Sequence, residues 1–187
     1  MVDFKIHDLS TAPEASKPFL EASQKKFGAI PNLIGILADS PQAVDAYMAL
    51  ARLAGETSFS PIERTLVWMT INYDAKCHYC MAAHTAIAKG EKIPDDVVEA
   101  TRTGSPQQDP RLEALRQFTL QVVHERGWVS DKDQQAFLDA GFSRQNILEL
   151  VTIAAQKLIS NYVNHLAKTP VDKPFQAFAW EAEGAKT

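Results

Sequence analysis

Residues 60–90 read SPIERTLVWMTINYDAKCHYCMAAHTAIAKG, and the order of signals in them decides the fold. Ser60-Pro61-Ile62-Glu63 is a capping box: serine and glutamate satisfy each other's free backbone N–H, and proline stands at the first helical position, where no hydrogen bond is lost. Ile62, Leu66, Met69 and Tyr73 then recur at helical spacing and predict a buried stripe. The helical signal breaks at Ala75-Lys76, resumes through Cys77 to Lys89 and stops at Gly90. Two consecutive helices therefore deliver a pair of cysteines to the start of the second.

The same punctuation extends outward. Ser40-Pro41 opens a helix carrying Val44, Tyr47, Met48 and Ala51 on one face and ending at Gly55. Pro94-Asp95-Asp96 starts a short helix that stops near Gly104, and Asp109-Pro110 caps one with Leu112, Leu115, Phe118 and Val122 inward. Ser130 to Ala140 gives another, closed by Gly141. From Ser143 to about Lys168, Ile147, Leu150, Val151, Ala154, Leu158, Ile159, Tyr162 and Val163 repeat in the helical period. That long helix is expected to be central, with an apolar face wide enough for several neighbours or for another subunit. No stretch alternates like a strand, so the fold class is all-α, a helical bundle without significant sheet.

The chain has 187 residues, 45% of them hydrophobic and 22% charged, which suits one domain spanning 1–187. Within it, 1–35 reads as an N-terminal arm, 60–104 as the core bearing the cysteines, 109–170 as C-terminal helices and 171–187 as a tail. The net charge is -4 and the basic residues are dispersed, so no nucleic-acid footprint exists. No apolar run approaches the ~20 residues of a membrane span, and Met1-Val2-Asp3-Phe4-Lys5 lacks a signal-peptide layout, so no membrane role and a cytoplasmic location are expected. In a reducing compartment two cysteines three apart are redox-active or metal-binding more often than a structural staple.

Cys77, Cys80 and His84 stand at i, i+3 and i+7, which on a helix places them within about 60° of one another, facing one pocket. Unpaired N–H groups and the macrodipole at a helix start favour thiolate over thiol. His84 can take the thiol proton directly or through a water, and the second cysteine can trap a sulfenic acid as a disulfide. A zinc site would need further ligands, and three residues spread over about 10 Å of helix chelate one ion poorly, so no metal is expected. Cysteines that merely pack around a core histidine, and a dithiol that senses oxidants without turnover, are the other readings.

Ser-Pro-x-Glu-Arg before an apolar helix, Cys-His-Tyr-Cys-x-Ala-Ala-His after it, and the later Asn161-Tyr162-Val163-Asn164-His165 with Thr169-Pro170-Val171-Asp172 resemble the carboxymuconolactone decarboxylase superfamily, in its alkylhydroperoxide reductase D-like (AhpD-like, peroxidase-related) branch. The resemblance implies an AhpD-like helical fold, a homo-oligomer (trimer or hexamer) and a thiol peroxidase cycle. Cys80 would be the peroxidatic thiolate, Cys77 the resolving thiol and His84 the proton relay. The substrate would be a hydroperoxide and the partner an external thiol or dithiol reductant, with no cofactor. The lactone decarboxylation that names the superfamily is the alternative activity, and a redox-sensing or non-catalytic oligomer the non-enzymatic one.

The branch completes its relay with a glutamate twelve residues before the first cysteine; here that position is Thr65, which cannot act as a carboxylate base. Glu63 is the nearest carboxylate, although its offset turns it to the other side of the helix and the capping box claims it. The branch often has Asn-Gly where this chain has Ala75-Lys76, so the turn before Cys77 is expected to avoid left-handed backbone or take another shape. Lys76 could also stabilise a thiolate. His78 could line the pocket edge, Tyr79 could donate its hydroxyl to a peroxide oxygen, and Asn161 with His165 forms a polar i, i+4 pair that either touches the site or serves a hydrogen-bond network.

Overall fold

The fold is seen in a computed structural model that describes residues 3–181. Met1 and Val2 of the N-terminal signal reading, and residues 182–187 of the tail, lie outside the described residues. Nine α-helices run among them, with no strand: α1 Lys17–Phe27, α2 Asn32–Leu37, α3 Pro41–Gly55, α4 Pro61–Asp74, α5 His78–Gly90, α6 Asp95–Thr103, α7 Pro110–His124, α8 Asp131–Asp139 and α9 Arg144–Ala167. Short 3-10 turns cover Glu14–Ser16 and Lys173–Phe178. No helix among the described residues is long and apolar enough to cross a membrane.

Side-chain caps set many of these boundaries. Ser40, Ser60, Asp109, Ser130 and Ser143 each accept from a backbone N–H of the first turn, and the Ser60–Glu63 capping box closes in both directions. The enclosed helix is α4 rather than the long α9: Leu66 to Asn72 of α4 are all buried, whereas α9 keeps one side in solvent. The expected stripes need the same correction. Val151, Leu158 and Tyr162 are 50%, 54% and 57% exposed, and Tyr73 is 37% exposed. A helical wheel groups such residues by angle, but α9 buries the side that carries Leu150 and Ile153 and leaves the adjoining arc open.

The apolar core has three parts. The first joins α4, α7, α8 and α9 around Leu66, Leu115, Leu150 and Ile153, with Phe137 stacked between Phe118 and Phe142 at centroid distances of 4.1 and 4.4 Å. The second packs Met69 and Met81 against Val97 and Val98. The third gathers α2, α3 and the start of α5 around Leu33, Leu37, Val44, Cys77 and Cys80. Short α2 is buried almost throughout, so it has no polar face to betray it in the sequence.

The turn between α4 and α5 places the dithiol. Cys77 N–H bonds Asn72 O at 3.0 Å and Lys76 N–H bonds Tyr73 O at 3.0 Å, a Schellman closure. Lys76 takes φ +53, so the backbone is left-handed without glycine, against expectation. The two carbonyls captured by the closure offset the ~1–2 kcal/mol that such geometry costs an L residue. Gly104 (φ +70) ends α6 directly against the Tyr73 ring, where a Cβ would lie 2.3 Å from a ring carbon.

Candidate active site

Cys77 is the N-cap of α5, in extended backbone (φ -87, ψ 99), and Cys80 lies in its first turn. The three motif residues therefore do not share one helical segment, yet the sulfurs still meet, because the Cys77 thiol donates to the Cys80 sulfur. Both residues are buried, at 1% and 2% exposure. The cover is the N-terminal segment: Leu20, Leu33, Ile34 and Leu37 pack in the same cluster.

The opposite wall is the second half of α9. Asn164 donates its side-chain N–H to Cys80 Sγ at 3.2 Å, and the Ser160 hydroxyl, which donates to Lys157 O at 3.2 Å, is near enough to lower the same sulfur. Lys157, 1% exposed, brings its Nζ to 3.1 Å from His84 Nε2. It makes no ion pair with any carboxylate among the described residues. Its charge acts instead on the two thiols, lowering both Cys80 and Cys77.

The two thiols accordingly part. Burial pushes Cys80 up, but the Cys77 thiol, the Lys157 charge, Asn164 and Ser160 together outweigh it and bring it down to about 6. Cys77 is raised, because its proton is held in the bond to Cys80 and because it is buried. His84 is held well below the usual imidazole range by burial and then by the neighbouring ammonium. The ring is neutral, with Nε2 accepting from Lys157. Nε2 is thus turned to Lys157 rather than open to a thiol proton, and the Lys157 charge itself lowers Cys80.

The other candidates separate clearly. Glu63 is not a relay acid, since one carboxylate oxygen accepts from Ser60 N–H and the other pairs with Arg111. Thr65 is buried with its hydroxyl unpartnered, so position 65 supplies no charge. The Tyr79 hydroxyl is engaged within the chain: it donates to Asp172 Oδ2 at 2.5 Å, while Asp172 Oδ1 accepts from Asn32 N–H at 3.0 Å. That carboxylate fastens the motif helix to α2, and burial together with Asp172 raises the phenol. His78 leans on Trp180 with ring centroids 5.9 Å apart. Asn161 is buried and its carbonyl oxygen has no partner, whereas His165 is exposed, its titration lowered first by partial burial and then by His78.

Four contributors escaped the sequence reading: Lys157, Asn164, Gln156 and Tyr47. Gln156 accepts from Trp68 Nε1 at 2.8 Å and also bonds the Tyr47 phenol, which faces Cys80 and is raised by burial and by the charge of that sulfur. Trp68 in turn lies against the His84 ring, 5.1 Å between centroids. The signal was present, because Gln156, Lys157, Ser160, Asn161 and Asn164 form a polar row at spacings of three and four inside an apolar helix. No cluster of three or more His, Cys, Asp or Glu among the described residues is arranged to hold a metal ion.

Neither the protein-family models nor the curated proteins contain a match to this chain. Solved structures do. The alkylhydroperoxidase AhpD core of an uncharacterized peroxidase-related protein from Ralstonia eutropha JMP134 superposes with a TM-score of 0.81 at 23% identity, over 92% of this chain and 93% of the other. An uncharacterized peroxidase-related protein from Silicibacter sp. TM1040 gives 0.78 at 20% identity, over 93% and 92%. The debrominase Bmp8, in a cysteine-to-alanine variant in complex with 2,3,4-tribromopyrrole, gives 0.77 at 17% identity, over 95% of both chains. The class is thereby defined at the level of the fold: this is an AhpD-like helical fold, as the motif resemblance implied.

Proposed function

We propose that the protein is a thiol peroxidase of the AhpD-like type, in which Cys80 attacks a hydroperoxide and Cys77 resolves the product. The observation that carries this reading is the buried sulfur pair in which one member is charged by Lys157 and Asn164 while the other retains its proton. The Cys80 thiolate attacks the terminal peroxide oxygen, the O–O bond breaks with departure of an alkoxide, and a sulfenic acid forms. The Cys77 sulfur then displaces that oxygen as water, closing the disulfide, and an external thiol or dithiol returns both sulfurs to the reduced state. Because the sulfurs are buried under α2, a peroxide reaches them when the Asn32–Asp172–Tyr79 fastening yields.

The test is peroxide consumption under a dithiol reductant. Cys80→Ser is expected to abolish it, and Cys77→Ser to stop after one equivalent with a trappable sulfenic acid. Turnover persisting in Cys80→Ser refutes the assignment. The structural likeness to a debrominase favours one second reading, reductive removal of halogen from an electron-rich ring by the same pair. Release of bromide from a brominated pyrrole with no peroxide activity would select it. The reading also includes a homo-oligomer, supported by the exposed apolar seam of Leu148, Val151, Leu158, Tyr162 and Leu166 on α9.

A further inference from the structure

The charge beside His84 has the opposite sign to the carboxylate relay of the family that the motif resembles, and this raises the question of where the proton comes from. Reducing a hydroperoxide to an alcohol and water consumes two electrons and two protons. The sulfurs supply both electrons, but with Cys80 already a thiolate the dithiol supplies only the proton of Cys77. A second proton is needed inside a pocket whose sulfurs are closed to solvent.

Lys157 is placed to give it. In the reduced protein its ammonium is balanced by the Cys80 thiolate; once the disulfide closes, the same ammonium is fully buried with no anion facing it. A buried, unbalanced charge is among the most unfavourable arrangements in a protein interior, and a lysine can relieve it by losing a proton, which an arginine cannot. The neighbouring groups offer no other relief. From α5 its Nζ meets neutral His84 and its charge acts on Cys77 and Cys80, while the Tyr47 phenol of α3, bonded to Gln156, lies beside the same two sulfurs. On α4, Trp68 lies against the His84 ring and carries the Arg64 guanidinium 5.4 Å from its own centroid, and α2 holds no titratable side chain. Its own helix adds the uncharged Gln156, Ser160, Asn161 and Asn164. A route is also present: with Nε2 accepting from Lys157, the proton of the neutral His84 ring sits on Nδ1, so the ring can release one there while receiving one at Nε2.

We propose that Lys157 is the proton reservoir of the dithiol cycle, balancing the Cys80 thiolate in the reduced protein and passing its proton through His84 to the departing oxygen, so that disulfide and neutral amine form together. The balance closes: thiolate, thiol, ammonium and hydroperoxide become disulfide, amine, alcohol and water, with no proton drawn from solvent. Lys157 thus acts through His84 as a positioning residue and does not touch the peroxide. The inference rests on the dithiol reading above.

The experiment counts protons. At pH 8 in weak buffer with an indicator dye, the reduced protein is oxidised with one equivalent of diamide, which takes up two protons as it becomes a hydrazine; thiolate absorbance at 240 nm is recorded beforehand. The expected result is a thiolate present before oxidation and no net proton uptake from solution per disulfide formed. Uptake of one proton per disulfide means that Lys157 stays charged and overturns the inference while leaving the dithiol reading intact. Absence of the thiolate at pH 8 overturns it too, and failure of the disulfide to form overturns both. Lys157→Arg sharpens the result: it is expected to keep the thiolate but to take one proton from solution, because guanidinium does not discharge. If that variant does not fold, the wild-type count decides alone.

Discussion

The two halves of α9 are built on opposite rules. In the first, the fully buried positions are Leu150 and Ile153, set in a dry core with Leu66, Leu115 and the stacked phenylalanines. In the second, they are Gln156, Lys157, Ser160, Asn161 and Asn164, a polar row from which Lys157, Ser160 and Asn164 act on Cys80, while Leu158, Tyr162 and Leu166 face outward. One continuous helix thus anchors the bundle at one end and carries the polar wall of the site at the other. A rigid element with a packed base can hold a lysine and an amide against a thiolate without losing their alignment, which mobile loops do poorly.

Substitutions in the two halves should therefore do opposite things. The largest expected effect is on stability: Leu150→Ala should lower the unfolding free energy by about 2–5 kcal/mol, through lost burial and the cavity left behind, while leaving the Cys80 titration where it was. Denaturant melts and thiol alkylation rates measure the two separately. Lys157→Met should do the reverse. With the charge gone, the Cys80 value rises toward that of a free thiol, ~8.5, so alkylation and peroxide consumption at pH 7 should fall by up to ~30-fold. Stability should change little or improve, since a buried charge has been replaced by an apolar chain of similar length.

Asn164→Ala removes one charge-assisted hydrogen bond from the sulfur. At roughly 1.5–3 kcal/mol this corresponds to one or two pKa units, so the thiolate fraction at pH 7 should drop about 2- to 10-fold. Leu158→Glu should have the smallest effect on the isolated chain, within about 0.5 kcal/mol, because the side chain faces solvent. If the outer seam joins subunits, sedimentation should show that variant in smaller assemblies than the parent. Unchanged assembly would remove the seam from any interface.

The helices were legible wherever a capped start coincided with a periodic face, as at Ser60 and Ser143, and least where burial surrounds the element, as in α2. The sulfur pair and His84 were legible because they are close in sequence. Lys157 and Asn164 were not, since they approach the sulfurs only through the packing of α9 on α5, 73 and 84 positions away from their contacts. The polar row they form was visible, but the apolar positions between them dominated the helical pattern. That pattern also hid which side faced inward: Leu158 and Tyr162 satisfy a helical wheel as well as Ile153 does.

The central claim is that the polar half of α9 keeps Cys80 ionised at neutral pH, and linkage gives it a signed consequence. Because the folded value of Cys80 lies below that of the free thiol, the reduced protein should gain stability as pH rises from about 6 toward ~8.5, and lose it as pH falls through about 6. The most direct measurement is the pH titration of thiolate absorbance at 240 nm in the reduced protein, with the Cys80→Ser variant subtracted. The account predicts a single thiol titrating near 6, with Cys77 remaining protonated through pH 8. A midpoint at the ordinary thiol value of ~8.5 or above would contradict it.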